Sequence, residues 1–372
     1  MSFRSQVWWG ATFTAAGVAL LLGGCSSSTA PVSLSDPVAT AAQAAALDSA
    51  FAAPVVASFQ SLGSSIHPAP PVVHAAVRAL GVVRPEAGAD RYTVLATETR
   101  ALQQIVPSFA SFGATAIFPD TLLGAVFSWD PNLHSYYRSS KTGGPPNGIR
   151  FLLYAIDPFT DEPATSLTQV GYADLLDRSS GGTASLEIQV KNTDASITYL
   201  DYTFSGSGTS SSFSASVTGT ITNGPAGAAN KTLTFSITIT GNSSSVTLTS
   251  SYTLNNPALT VLETVSIADD GTTTTLTLNF TFTHAGETIQ LSGTVSASDA
   301  TGDGTVNLTF KVNGGTFATI TGSTTNPVIT RAGGGQLTAA ELNALLHVFE
   351  AAADVGAKVG DMFHPAEQIL GF

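Results

Sequence analysis

Apolar and hydroxyl-bearing side chains alternate through most of the region between residues 183 and 322. In residues 232–240, Leu, Phe and Ile alternate with Thr and Ser, and residues 275–283 repeat the pattern with Leu, Phe and Thr. A period of two places successive side chains on opposite faces of a β-strand. Turn sequences rich in Gly, Asn and Asp recur roughly every 15 residues, as expected for hairpins between neighbouring strands. The pattern predicts a long antiparallel meander with one apolar face and one hydroxyl-rich face.

Strand-like sequence also precedes this region, beginning near Leu122. Residues 149–156 are almost all apolar. An unbroken apolar run of this length is typical of a strand that is covered on both faces.

Helical patterns flank the predicted strands on the N-terminal side. Asp36 followed by Pro37 is a typical helix start, with an N-cap residue and then proline at the first helical position. The Ala-rich residues 38–53 favour a helix, which Pro54 should break and restart. Residues 70–81 predict another helix. Residues 91–106 are ambiguous between helix and strand, and their apolar spacing favours helix.

The C-terminal region predicts one long amphipathic helix. Thr338 and Glu341 have the spacing of a capping box, and Leu337 with Leu342 could form a hydrophobic staple. The predicted apolar stripe of this helix consists of Leu342, Leu345, Leu346, Phe349 and Ala353. We therefore expect the helix to pack on the apolar face of the sheet.

These elements predict a mainly β (α+β) fold, in which a curved or barrel-like antiparallel sheet carries helices from both chain ends on its apolar face. Ten strands of about ten residues would present roughly 1,600 Å² on that face. One 20-residue helix covers on the order of 300 Å², so the helices should fall short by a third or more. Either the sheet curls on itself, or an apolar ligand or partner occupies the concave side. The second arrangement is similar to half-barrel carriers that move lipids or lipoproteins across a periplasm; that likeness is architectural and carries no residues over.

The N-terminus carries the most specific motif in the chain. An apolar run, residues 11–22, follows a short start with Arg4 and ends directly before Gly23-Gly24-Cys25, and Cys25 is the single cysteine. The run has the length of a signal-peptide core and is too short to span a bilayer. Leu22-Gly23-Gly24-Cys25 resembles the lipobox of bacterial lipoproteins. The resemblance covers residues 1–28 and implies that Cys25 is acylated and becomes the first residue of the mature chain.

The resemblance also predicts a location. It implies attachment to the cell envelope through acyl chains on Cys25, and in a Gram-negative cell Ser26 would direct the protein to the outer membrane. The alternative is an ordinary secretory signal that leaves Cys25 as an unpaired thiol, which an oxidising compartment disfavours. The sequence after Cys25 lacks a run of 18 apolar residues, so we expect the remainder to be soluble and tethered.

The charged residues of the chain restrict which partners it can bind electrostatically. The chain has 14 Lys and Arg against 26 Asp and Glu, a formal net charge of -12. Such a charge disfavours nucleic acid and anionic lipid surfaces as electrostatic partners. Only 11% of residues are charged, so solubility depends largely on the Ser and Thr hydroxyls.

No motif in the sequence specifies a reaction. Nucleophile-elbow, zinc-protease, P-loop and dinucleotide-binding signatures are lacking, and we expect no cofactor. Asp299, Thr301 and Asp303 faintly match a calcium loop, but a hairpin turn explains them better. His347 lies beside the predicted stripe of its helix and is better explained as a boundary residue than as a metal ligand. The densest group of reactive side chains, most of which suit turns and strands, comprises Asp130, His134, Tyr136, Tyr137, Arg138, Arg150, Asp157 and Asp161.

The sequence thus predicts five segments: a signal peptide (1–24), the lipidated cysteine with a flexible tether (25–36), a helical segment (37–110), the meander (111–330) and the C-terminal helix (331–372), which packs with the meander as one domain. The leading hypothesis is a non-catalytic structural or binding lipoprotein. Alternatives are a carrier of an apolar ligand and a surface adhesin that uses the hydroxyl-rich face. An enzyme is the least favoured reading.

Overall fold

The computed structural model describes residues 32–65 and 116–362, apart from positions 210, 228–229, 243, 299–300, 302 and 325. Contacts divide the chain into two units, Met1–Pro31 and Val32–Phe372, and all described residues belong to the second unit. Cys25 and the helices predicted at 70–81 and 91–106 lie outside the described residues.

Fifteen strands form one sheet in the order β15-β14-β13-β12-β11-β10-β9-β8-β7-β6-β5-β4-β3-β1-β2. From β3 to β15 each strand pairs antiparallel with the next, which confirms the predicted meander. The strands are β1 Val126–Asp130, β2 Ser135–Arg138, β3 Gly148–Tyr154, β4 Gln169–Asp177, β5 Ala184–Asn192, β6 Thr198–Gly208, β7 Ser212–Thr222, β8 Thr232–Asn242, β9 Ser245–Asn255, β10 Ala258–Asp269, β11 Thr273–His284, β12 Glu287–Ser298, β13 Gly304–Val312, β14 Gly315–Ser323 and β15 Asn326–Arg331.

One end of the sheet departs from the meander. β1 pairs in parallel with β3 and antiparallel with β2, so the sheet is mixed. A short 3₁₀ helix, Asp120–Leu122, precedes β1. Within the described residues the sheet does not close, and β2 and β15 are its edge strands.

The two faces of the sheet differ as the alternation predicts. On β5 the side chains of Leu186, Ile188 and Val190 are fully buried, while the residues between them are partly exposed. We call the apolar face the inner face and the opposite one the outer face. On the outer face, hydroxyls pair across strands, as between Thr247 and Ser266 at 3.0 Å. The hydroxyl-rich face thus satisfies part of its own hydrogen-bonding capacity.

β3 is covered on both of its faces, as its nearly continuous apolar sequence predicts. Leu153 is fully buried in the main core, and Leu152 is 6% exposed in a second cluster. That second cluster consists of Val126, Trp129, Leu152, Tyr154 and Tyr172.

The N-terminal helices begin where the sequence predicts. α1, Pro37–Ala45, is capped by Asp36, whose carboxylate accepts from the backbone N–H groups of Val38 at 3.1 Å and Ala39 at 3.0 Å. The Ala-rich stretch continues as a 3₁₀ helix, Ala46–Phe51. Pro54 then starts α2, Pro54–Ser65.

These helices cross the inner face of the sheet from one side to the other. α1 meets the β11–β12 hairpin through the Thr40 hydroxyl, 3.1 Å from Nε2 of His284. The 3₁₀ helix contacts β7 and β8, and α2 contacts β3 to β6. The Ser58 hydroxyl in α2 accepts a hydrogen bond from the Tyr154 backbone at 3.1 Å.

The C-terminal helix α3, Ala339–Asp361, starts with the predicted capping box. The Thr338 N–H donates to the Glu341 carboxylate at 2.9 Å, and the Glu341 N–H donates to the Thr338 hydroxyl at 3.2 Å. Arg331 at the end of β15 also contacts this carboxylate at 2.9 Å. Burial by itself would raise the pKa of Glu341, but the hydrogen bonds from Thr338 and the charge of Arg331 lower it below its ordinary value.

The predicted apolar stripe of α3 is partly wrong. Leu345 is 2% exposed as expected, but Leu342 is 40% exposed and does not belong to the buried stripe. Leu337, its predicted partner in a hydrophobic staple, packs against the core. The buried apolar positions are Ala344, Leu345, Val348, Val355, Val359 and Met362. The side chains of Leu346, Phe349 and Ala353 lie outside the described ones.

α3 spans the inner face from β15 to β6. Near its start Glu341 binds Arg331, and at its end the Tyr202 hydroxyl donates to the Met362 carbonyl at 2.7 Å. Nine strand spacings separate β6 from β15, about 43 Å along the sheet, whereas a 23-residue helix spans about 34 Å. The sheet therefore follows an arc around α3, and its inner face is concave.

The inner face is better covered than the predicted areas suggest. Its apolar side chains form one core with those of α1, the 3₁₀ helix, α2 and α3, and most of them are buried. The expected shortfall of a third or more was too large because it treated the sheet as flat, and curvature brings the strands toward the helices. Accessible surface remains on a smaller part of this face.

Candidate functional site

One row of inward-facing side chains crosses the middle of the inner face. Register aligns Phe204, Val217, Ile237, Ser250, Glu263, Phe280, Leu291 and Phe310 from β6 to β13. Ser250 and Glu263 are direct cross-strand partners and are the two polar members of this row. Opposed side chains in an antiparallel pair have Cβ atoms about 5 Å apart, so the pair forms a small polar centre between Ile237 and Phe280.

Glu263 lacks a cationic partner among the described residues. Its carboxylate accepts one hydrogen bond, from the Ser250 hydroxyl at 3.3 Å. Burial raises the pKa of Glu263, and the hydrogen bond from Ser250 opposes that rise only in part. Burial also raises the pKa of the Tyr252 phenol, and the nearby charge of Glu263 raises it further. Both shifts favour the uncharged form of the side chain.

Part of the inner face beside this polar pair is accessible, as is the end of the face at Ile320 and Ile329. Leu248, Glu263, Leu276 and Leu278 are partly exposed, whereas Val261 in the neighbouring row is fully buried. We define the inner patch as Leu248, Ser250, Glu263, Leu276 and Leu278. The inner patch extends from the middle of the strands toward the strand ends that lie away from the β11–β12 hairpin. α1 packs at that hairpin, at the other end of the strands. Distance from α1 therefore accounts for part of the accessibility.

The residue beside Leu278 in the next strand is a glycine. Leu278 pairs with Gly293 in β12, and Gly293 pairs with Leu308 in β13. Gly293 has a φ of 146°, and a Cβ at this position would lie 2.0 Å from the Asn307 carbonyl oxygen. A larger residue is excluded on these grounds, so no side chain stands between Leu278 and Leu308 in this row.

Glu263 is partly exposed on the inner face, although burial raises its pKa. Leu248 and Leu278, which are also partly exposed, lie in the next row of the same face. The inner patch can therefore accommodate an apolar group beside one polar anchor, an arrangement that is typical of small-molecule sites.

A second polar cluster on the inner face joins the β11–β12 hairpin to the N-terminal segment. His284 and Glu287 are each 4% exposed. Oε1 of Glu287 accepts from the Ser35 N–H at 2.8 Å, and its Oε2 lies 3.4 Å from Nε2 of His284. The Thr40 hydroxyl approaches the same Nε2, and Nδ1 of His284 has no hydrogen-bond partner among the described residues.

This arrangement resembles a catalytic triad in composition but not in geometry. In a triad the nucleophile and the carboxylate bind opposite ring nitrogens of the histidine. Here Thr40 and Glu287 share Nε2 of His284, and all three side chains are buried. The cluster therefore serves to dock α1 and the preceding segment on the sheet.

The acidic and histidine members of the group between Asp130 and Asp161 serve as turn residues. Asp130 accepts from the Asn132 N–H at 2.8 Å, and Asp157 accepts from the Phe159 N–H at 2.9 Å. Asp161 and His134 occupy turn positions with φ of 57° and 48°. His134 also lies 2.6 Å from the Glu162 carboxylate, at an exposed position.

The arginines and tyrosines of this group are used in separate structural contacts. Arg150 forms two hydrogen bonds with Asp174, at 2.6 Å and 2.7 Å, and lies over the Tyr172 ring. The contact with Asp174 raises the pKa of Arg150. The Tyr136 hydroxyl donates to the Leu152 carbonyl, and burial raises its pKa. Arg138 donates to the Thr121 carbonyl at 2.8 Å, and Tyr137 is 45% exposed.

An open cleft of about 450 Å³ lies beside the β4–β5 turn, between Phe118 and Gly181. Its acidic lining residues are Asp120 and Asp177. Asp177 accepts hydrogen bonds from the backbone N–H groups of Ile117 at 2.9 Å and Ser179 at 2.8 Å. Burial raises the pKa of Asp177, but these hydrogen bonds outweigh it, so the net shift is downward. The carboxylate is therefore committed to holding the backbone.

The remaining sequence candidates do not form a metal site in the described part of the chain. It contains no group of three or more His, Cys, Asp or Glu that could bind a metal ion. Asp299 lies outside the described residues. Asp303 and Thr301 belong to the β12–β13 turn, where the Asp303 N–H donates to the Thr301 hydroxyl at 3.2 Å. His347 is exposed on α3.

The Ser250–Glu263 pair and the His284–Glu287 pair were both missed as sites, although the sequence contains a signal for them. Each residue occupies an inward position in an otherwise apolar alternation, as Glu263 does between Val261 and Val265. Polar residues at inward positions are uncommon and need a structural or functional reason.

No family model, no curated protein and no solved structure matches the chain. Among the described residues, no single helix is long and apolar enough to cross a bilayer. Pro37–Phe51 and Pro54–Leu62 reach that threshold only as a pair, and the pair is bent by 70°.

Proposed function

We propose that this chain is a non-catalytic, lipid-anchored protein of the bacterial cell envelope that binds an apolar ligand on its concave inner face. The inner patch supports this proposal most directly. It combines accessible leucines with a polar pair inside a face that is mostly buried. The curved sheet with helices on its inner face supports the proposal further, because it surrounds this patch with apolar side chains.

The lipobox-like sequence supports the anchor. Cys25 lies outside the described residues, seven positions before Val32, where the described part of the chain begins. The residues between them are Ser, Thr, Ala and Pro, which suits a flexible tether between the acyl chains and the fold.

Ligand binding is tested by solvent extraction of the purified protein followed by mass spectrometry. The whole chain carrying Cys25→Ser avoids signals from covalent acyl groups. We expect a bound amphiphile or hydrocarbon that is lost in Leu278→Glu, which places a charge in the inner patch. Leu262→Glu is the matched control, because Leu262 is 47% exposed on the outer face of the next strand. Clean extracts from all three proteins would contradict the binding function.

The anchor is tested by metabolic labelling with an alkyne analogue of palmitate. We expect the wild-type chain to be labelled and to fractionate with membranes, and Cys25→Ser to be unlabelled. A processed wild-type chain that is released into the medium without acyl groups would contradict the proposed location.

A further inference from the structure

We infer that Ser250 and Glu263 bind the uncharged, hydrogen-bond-accepting head of an amphiphile, such as an acyl ester or a fatty alcohol, whose chain lies along Leu248, Leu276 and Leu278. This inference rests on the proposed function and specifies the chemical class of its ligand.

The position of the polar pair supports an anchoring role. Register places Ser250 next to Ile237 on one side and Glu263 next to Phe280 on the other. The pair therefore interrupts an apolar row at one point, where a ligand head can form hydrogen bonds while its chain contacts only hydrocarbon. Leu248 and Leu278 occupy the next row of the inner face, on the side away from the β11–β12 hairpin.

The hydrogen-bonding capacity of Glu263 is not exhausted within the described residues. Ser250 donates to Oε2, and none of the described residues forms a hydrogen bond with Oε1. The side chain also has accessible surface. A carboxylic acid provides one O–H donor and two acceptor oxygens, so Glu263 can donate to a ligand oxygen while it still accepts from Ser250.

The electrostatic surroundings favour a neutral ligand head. From β9, Ser250 and Tyr252 face Glu263, and from β11 Phe280 does. Tyr252 is uncharged at neutral pH, and Glu263 has no ion pair within the described part of the chain. Burial raises the pKa of Glu263, which favours its protonated, donating form. An anionic head would be removed from water there without a cationic partner among the described residues.

The test compares four probes of similar chain length: hexadecan-1-ol, methyl palmitate, hexadecane and ionised palmitate. Each competes with radiolabelled hexadecan-1-ol for the whole chain carrying Cys25→Ser at pH 7.5. We expect hexadecan-1-ol and methyl palmitate to bind about five- to tenfold more tightly than hexadecane, the worth of one or two hydrogen bonds. Ionised palmitate should be the weakest competitor.

Two substitutions at position 263 distinguish the contribution of the polar pair to ligand affinity from that of the apolar surface. Glu263→Gln keeps a neutral donor and should retain the preference for hexadecan-1-ol over hexadecane. Glu263→Leu fills the position with hydrocarbon, should remain folded by circular dichroism, and should lose that preference while it still binds hexadecane. If all four probes bind equally in the wild type, or if palmitate binds best, the inferred ligand class is wrong and apolar binding itself stands. If none binds, the proposed function fails as well.

Discussion

Replacing Leu345 by aspartate should disrupt the packing of α3 in the core that it shares with α1, the 3₁₀ helix and the sheet. Leu345 is 2% exposed, so the substitution removes an almost fully buried leucine side chain. Loss of such a side chain costs about 2–5 kcal/mol with the cavity it leaves, and the buried carboxylate adds a further desolvation cost. The sum is comparable to the whole stability of an ordinary domain, about 5–15 kcal/mol.

The matched control is Leu342→Asp, one turn earlier on the same helix. Leu342 is 40% exposed, and surface substitutions of this kind change stability by about 0.5 kcal/mol. Both variants introduce the same residue into the same helix, so helix propensity is matched between them. Urea denaturation followed by circular dichroism gives the two unfolding free energies. Equal midpoints for Leu345→Asp and Leu342→Asp would refute the packing of α3 described above.

Two further predictions concern single groups. The folded-state pKa of Glu263 is raised above its ordinary 4.5, so its contribution to stability is fully present below that pH and is lost as the pH rises. Glu263→Gln should therefore gain stability relative to wild type between pH 4.5 and 8, as measured by urea denaturation at several pH values, and a constant difference would contradict the raised pKa. Thr338→Ala should cost about 1 kcal/mol by removing the cap of α3, whereas Thr338→Ser should cost less, and equal stability of the two variants would argue against the cap.

Local patterns were sufficient to predict most of the elements. The alternation predicted the antiparallel meander, Asp36 with Pro37 predicted the start of α1, and Thr338 with Glu341 predicted the start of α3. Each of these signals involves residues that are close in sequence, and the structure confirms them. The parallel pairing of β1 with β3 was not predicted, because it joins strands separated by a hairpin and a loop and leaves no periodic signal.

The buried face of α3 was predicted only in part for a different reason. Ala, Leu and Val occur on several sides of this helix, so more than one apolar stripe fits its sequence. The first turn lies near the edge strand β15, where Arg331 contacts Glu341, and Leu342 there points to solvent. Only tertiary packing decides between the alternative stripes.

The candidate site depends on tertiary structure even more strongly. The sequence shows that Glu263 occupies an inward position among apolar residues, and it could have been selected on that basis. Its pairing with Ser250 depends on strand register, and the accessibility of Leu276 and Leu278 depends on where the helices cover the sheet. Neither property can be read from local periodicity.

The accessibility of the inner patch can be measured directly with single thiols. In the whole chain carrying Cys25→Ser, a thiol introduced by Leu278→Cys should react with a small maleimide while the protein is folded, and hexadecan-1-ol should protect it. The thiol of Val261→Cys, at a fully buried position of the same face, should react only on unfolding. Equal protection of both thiols without ligand, or labelling of Leu278→Cys that hexadecan-1-ol leaves unchanged, would contradict an apolar binding site at the inner patch.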